Sequence, residues 1–284
     1  MTVCESGCRI VAVFLFLLLP LFARTEPDTL RLVTHVQSFK GRKQIPATEY
    51  KVIRNQWIAW IDRRLLQGGT VESMNRELEE ARLIAPELAV ADQFENGQLG
   101  MVEPLTLLGD GSAPDLMLVD WTMHRGICLI DTNVLIYQRT ISRHPARIGA
   151  YEDSAYLLQD IAVGPIDASG NRLIATGWTA SNCASNWNGK AMRIDRVRGG
   201  IQKNILTRSF SAYSAGGKDV EAEIKDDVVT FRYQGAVHDG DLLSGPAVSS
   251  FRIDGDFATR EAPFALTLAG VLNEWICADR QEAA

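Results

Sequence analysis

No apolar run in this chain is long enough to cross a bilayer, which takes about 20 residues. The longest, IVAVFLFLLLPLF at Ile10–Phe22, has 13. Histidine is scarce: four residues, at 35, 124, 144 and 238, with no HExxH or other paired spacing, so no local zinc motif exists. The glycines fall into neither the phosphate-cradling G-x-x-x-x-G-K-[ST] nor the dinucleotide fingerprint. Serine nucleophiles lack their settings too, since neither a G-x-S-x-G elbow nor a Ser-x-x-Lys set occurs. Excess positive charge is also missing. With 29 Lys and Arg against 35 Asp and Glu, the net charge of −6 excludes a general nucleic-acid binder, which must displace counterions. None of the asparagines opens an N-x-Ser/Thr acceptor sequence.

What is present begins with that short apolar run. Its length and position fit the apolar stretch of a secretory signal, and FARTEPD turns polar at once, with Ala23 expected as the last residue removed. An uncleaved anchor is the alternative. Removal takes Glu5 and Arg9 together and leaves the charge at −6. The expected address is exported, periplasmic or extracellular, with no stable membrane span after cleavage. Arginine outnumbers lysine 22 to 7, a bias associated with GC-rich bacterial coding, which favours the periplasm. Cys4 and Cys8 leave with the leader; Cys128, Cys183 and Cys277 remain. Three cysteines in an oxidising compartment predict one disulfide plus one thiol or a link to a partner, with all three pairings open. A bridge among them would stabilise by about 4–5 kcal/mol in the chain-entropy model.

The periodicity predicts a mainly β fold, an antiparallel meander of sandwich, barrel or propeller-like form, with an N-terminal helical hairpin and a C-terminal helix, α+β overall. Residues 1–23 are the expected signal, 24–95 a strand plus the hairpin, and 96–284 the β-rich part, or one continuous domain with 24–95. The run Leu30–Phe39 alternates like a strand. Tyr50, Ile53, Trp57, Ile61 and Leu65 then recur at helical spacing, Gly68-Gly69 ends the helix, and Thr70 caps the next. That helix places Val71, Met74, Leu78 and Ala81 on one stripe, with Glu77, Glu79 and Glu80 outward. Trp57 and Trp60 could stack on a sugar, but large aromatics mostly bury, which favours packing.

From Leu99 on, β-rich runs follow one another, among them LMLVDW, VLIYQ, RLIATGW, KAMRIDRV, VVTFRYQG and AVSSFRI. DGSAPD (Asp110–Asp115) and DTN (Asp131–Asn133) are expected separators. KDD (Lys225–Asp227) and DGD (Asp254–Asp256) are expected hairpin turns, because Asp and Gly tolerate positive φ. The basic stretch Lys190–Arg208 reads as the wet face of a strand. Thr267–Ala278 carries the C-terminal apolar helical face.

One loop stands out, GWTASNCASNWNGK at Gly177–Lys190. Trp178, Asn182, Asn186, Trp187 and Asn188 could together form a ligand surface, an aromatic platform among amides. The same residues also suit a plain strand connection pinned by Cys183. No cofactor and no metal is expected, since the acidic glycine turns lack the regular ligand array of a calcium loop. The leading expectation is therefore a non-enzymatic envelope or extracytoplasmic protein that binds a partner or small ligand. The alternative is an envelope-active, carbohydrate-directed hydrolase working through paired carboxylates, with Asp120, Asp131 and Glu274 the acids nearest aromatic residues.

Overall fold

The computed structural model describes residues 27–39, 44–84, 102–108, 113, 115–126, 129–139, 144–152, 156–180, 187–213, 220–237 and 243–261. The expected signal, the three cysteines and the C-terminal helix lie outside these residues. The chain divides into two compact units: a helical one, up to Leu105 plus His124–Ile127, and a β one, Thr106–Met123 plus the chain from Cys128 on.

The helical unit contains α1 (Pro27–Gln37), α2 (Ala47–Leu66) and α3 (Val71–Ile84). No described helix is long and apolar enough to cross a membrane. The first helix replaces the expected strand at Leu30–Phe39. Its buried residues are Thr29, Leu32, Val33 and Val36, a spacing of one helical face, and Asp28 sits in the first turn where the macrodipole favours an acid. The second buries its predicted stripe together with Trp60, whose ring meets Trp57 edge to face at 5.9 Å. The tryptophan pair is core. Gly68 (φ 82°) and Gly69 end this helix, and Thr70 caps the next: Ser73 N–H donates to Thr70 Oγ1 at 3.2 Å. In return, Thr70 N–H donates to Ser73 Oγ at 2.8 Å. Val71, Met74, Leu78 and Ala81 are buried as the stripe predicts.

Glu77 differs from expectation. Instead of facing water it accepts from Arg64 Nη2 at 2.5 Å and from the Thr29 hydroxyl. Thr29 Oγ1 in turn accepts from Trp60 Nε1 at 2.9 Å and Arg64 Nη2 at 3.3 Å. Arg64 is itself buried, so the three helices share one polar tie.

The β unit is built of three four-stranded antiparallel meanders, each consecutive in the chain. The first sheet holds β1 (Thr106–Leu108), β2 (Leu116–Gly126), β3 (Leu129–Gln138) and β4 (Ala146–Tyr151). The middle sheet holds β5 (Tyr156–Ile166), β6 (Asn171–Ala180), β7 (Trp187–Arg198) and β8 (Ile201–Tyr213). The third holds β9 (Val220–Lys225), β10 (Val228–Val237), β11 (Leu243–Asp254) and β12 (Phe257–Glu261). The described strands do not close into a barrel. DTN does not separate strands as expected: Asp131, Thr132 and Asn133 lie within β3, all buried, with Thr132 and Thr122 hydroxyls 3.2 Å apart.

Side-chain parity on β6 explains the stacking, because successive residues point to opposite faces. Ile174 and Trp178 pack with Leu118, Val134, Ile136 and Tyr151 of the first sheet. Ala175 shares the other core with Val220, Val229, Phe231 and Phe251 of the third. Gly177 lies on that second face. A Cβ there would stand 2.7 Å from Val220 Cγ1, so glycine lets the two sheets approach. The middle sheet is thus covered on both faces, which accounts for the nearly unbroken burial of β6.

Candidate binding cleft

The tight turns place the site. Gly199 (φ 54°) and Gly200 (φ 79°) join β7 to β8, a two-residue loop with both residues left-handed, as the sheet's twist favours. Asp226 (φ 56°) opens the β9–β10 turn and Gly255 (φ 54°) the β11–β12 turn, as KDD and DGD predict. Between β5 and β6, Asp167 organises its own turn. Its Oδ1 accepts from the backbone N–H of Ser169 and Asn171, each at 2.8 Å, and its Oδ2 accepts from Asn171 Nδ2 at 2.8 Å. Strand pairing of Asn171 with Arg198 and of Val228 with Arg252 brings these turns to one end of the stacked sheets.

There the middle and third sheets part around a cleft of about 310 Å³. Leu173, Ile224 and Ile253 give it apolar walls, and Asp167, Asp226, Asp227 and Arg196 stand around them. Arg196 is fixed across the two sheets: Nη1 donates to Asp256 Oδ1 at 3.0 Å and Nη2 to the Gly255 carbonyl. Asp256 also accepts from Lys203 Nζ at 2.5 Å. Asp227 accepts from Arg252 Nη1 at 2.9 Å and 3.1 Å. Asp167 and Asp256 are moved the same way. The hydrogen bonds from Asn171 hold Asp167 below the ordinary carboxylate range, and the bond from Lys203 does the same for Asp256.

The basic stretch supplies Arg196 to the cleft and is not a uniformly wet face. Lys190 is fully buried, with its Nζ 3.3 Å from Thr179 Oγ1. Arg193 covers the Tyr151 ring at 4.8 Å and holds the buried Asp195 carboxylate through Nε at 2.8 Å and Nη2 at 3.0 Å. Because β7 runs through the middle sheet, its cations must find partners between layers.

Of the predicted loop residues, Trp178 is a core side chain. It is buried in the first interlayer core, meets Tyr151 edge to face at 5.9 Å and donates from Nε1 to Thr176 Oγ1 at 2.8 Å. Its ring is therefore taken up in packing. Asn182, Asn186 and Cys183 fall outside the described residues; Trp187 and Asn188 open β7, paired with Tyr213 and Ala212. Cys128 and Cys277 are likewise outside. Of the acids weighed for hydrolysis, Asp120 accepts from Thr106 Oγ1 at 3.2 Å, Asp131 is buried in β3, and Glu274 lies outside. The described residues do not bring them together with the cleft. Among the described residues no group of His, Cys, Asp and Glu is arranged to hold a metal ion. The cleft itself was half visible in sequence, through its turns, whereas its walls come from three distant strands. No known family model matches the chain, and no curated protein matches its sequence.

Proposed function

We propose that this is an exported, extracytoplasmic binding protein without catalytic activity, and that its ligand seats in the cleft at the turn end of the β unit. The observation that carries this reading is the cleft's construction: apolar walls from two sheets, with fixed charges around them. The state of Asp167 in the cleft and of Asp256 beside it supports binding over hydrolysis. A glycosidase's general acid needs a raised pKa, while Asp167 and Asp256 are both lowered. The signal-like leader supports the address, and Cys128, Cys183 and Cys277 remain the candidates for one bridge in that compartment.

The test is a screen of the purified mature chain against peptides, amines and oligosaccharides, with bound compounds recovered and weighed by mass spectrometry. Saturable binding that Leu173→Phe competes away by filling the cleft, with the compound recovered intact, is the expected result. Recovery of a cleaved compound would overturn the non-catalytic reading. Binding indifferent to Leu173→Phe would overturn the placement at the cleft.

A further inference from the structure

We infer that the cleft receives a lysine or arginine side chain from an extended, basic segment of a partner protein. This inference rests on the cleft being the binding site. Three carboxylates, Asp167, Asp226 and Asp227, line it against a single guanidinium, Arg196. That guanidinium is held by Asp256 and the Gly255 carbonyl and also acts through space on Asp167, so one cation is shared among several acids. Arg252 matches Asp227. Asp167 accepts only neutral N–H groups within its own turn and keeps its full charge. Asp226 has no partner among the described residues, and its left-handed backbone holds it at the turn's first position. Asp226 is the lining acid that the surrounding cations leave unmatched, and a cationic ligand would meet it.

The walls narrow the choice of cation. Leu173, Ile224 and Ile253 present apolar surface that a hydrated metal ion would leave unused. Lysine and arginine join an alkyl stem to a charged head, and they lay the stem on apolar surface while the head stays among polar groups. The surroundings favour a peptide over a free amine. Ile166, Ile201 and Phe257 sit beside the β5–β6, β7–β8 and β11–β12 turns and are 53%, 70% and 77% exposed. A small amine would leave all three in water; side chains flanking the anchoring cation would cover them.

The experiment titrates the peptide acetyl-Gly-Leu-Lys-Leu-Gly-amide into the ¹⁵N-labelled mature chain, alongside versions with norleucine or glutamate at the centre, and spermidine. The lysine peptide is expected to shift the amides of Asn171, Leu173, Ile224 and Ile253, and to bind about tenfold more tightly than the norleucine peptide. Asp226→Asn, which the left-handed backbone tolerates, is expected to weaken the lysine peptide about three- to fivefold and leave the norleucine peptide unchanged. Equal binding of lysine and norleucine peptides at these amides overturns the cationic partner while the cleft stands as a binding site. Spermidine binding there without peptide binding overturns the peptide partner. Silence of the cleft toward every probe overturns the inference as a whole, and the Leu173→Phe competition then judges the cleft separately.

Discussion

Tyr151 carries its hydroxyl into the seam between the first and middle sheets, beneath the Arg193 guanidinium and beside the Asp195 carboxylate. The strand geometry makes this crowded: Gln202 of β8 reaches close to β4, so that its amide would have to move aside for a Cβ at position 149. Burial pushes the phenol well above its ordinary value of 10.0, and the neighbouring Asp195 charge pushes it further, since a phenolate there would face a carboxylate out of water. Arg193 and Gln202 act the other way and do not win. The sign for stability follows by linkage. Below pH 10 the phenol is neutral in both folded and unfolded chains, so the contribution is fully present. Above it the unfolded chain loses the proton first, and stability is lost as pH rises toward the folded value. Urea midpoints measured across alkaline pH should therefore fall more steeply for the wild type than for Tyr151→Phe. Parallel curves for the two would remove Tyr151 from the account.

The helical elements show the same rule at larger size, that burial decides where propensity is divided. Leu30, Leu32 and Val36 fit an alternating strand, yet with Thr29 and Val33 they also complete a helical face, and α2 and α3 supply the surface that selects the helix. Asp131-Thr132-Asn133 has turn composition, but in β3 all three are buried, Thr132 meets the Thr122 hydroxyl of β2, and the strand runs through. The hairpin stripe, the Thr70 cap and the Asp226 and Gly255 turns were legible because each is written within a few residues. The cleft walls were not. Leu173, Ile224 and Ile253 lie on β6, β9 and β11, and no local pattern records which sheet faces meet. Glu77 belongs with the illegible features, since nothing nearby in sequence announces Thr29 or Arg64. Glu77→Ala strands a buried guanidinium and should cost about 3 kcal/mol or more, whereas Glu79→Ala, on the exposed face, should cost about 0.5 kcal/mol or less. Urea unfolding followed by helical circular dichroism separates them. Equal losses would mean the three-helix tie contributes no more than a surface pair.

Within the β unit, the layering sets an order of local stability. A central strand of a sheet covered on both faces can open only by exposing two cores at once, while an edge strand of an outer sheet opens alone. β6 and β7 are the two inner strands of the middle sheet, and Ile174, Ala175, Met192 and Ile194 are divided between its two cores. Among the described residues β1, of three residues, pairs only with Leu118–Asp120, and β12, of five, pairs only with β11. Native-state hydrogen exchange should accordingly find the slowest amides at Ile174–Trp178 and Ala191–Ile194, close to the global limit. The hydrogen-bonded amides of β12 should exchange orders of magnitude faster. This gradient also bears on the cleft, whose walls mix the most protected strand with the less protected β9 and β11. A ligand seated there joins both sheets, and by binding only the closed arrangement it should slow exchange in the third sheet more than in β6. Uniform protection across the three sheets, with no further slowing in β9–β11 on ligand binding, would show that they open as a single block and that the stacking does not grade their stability.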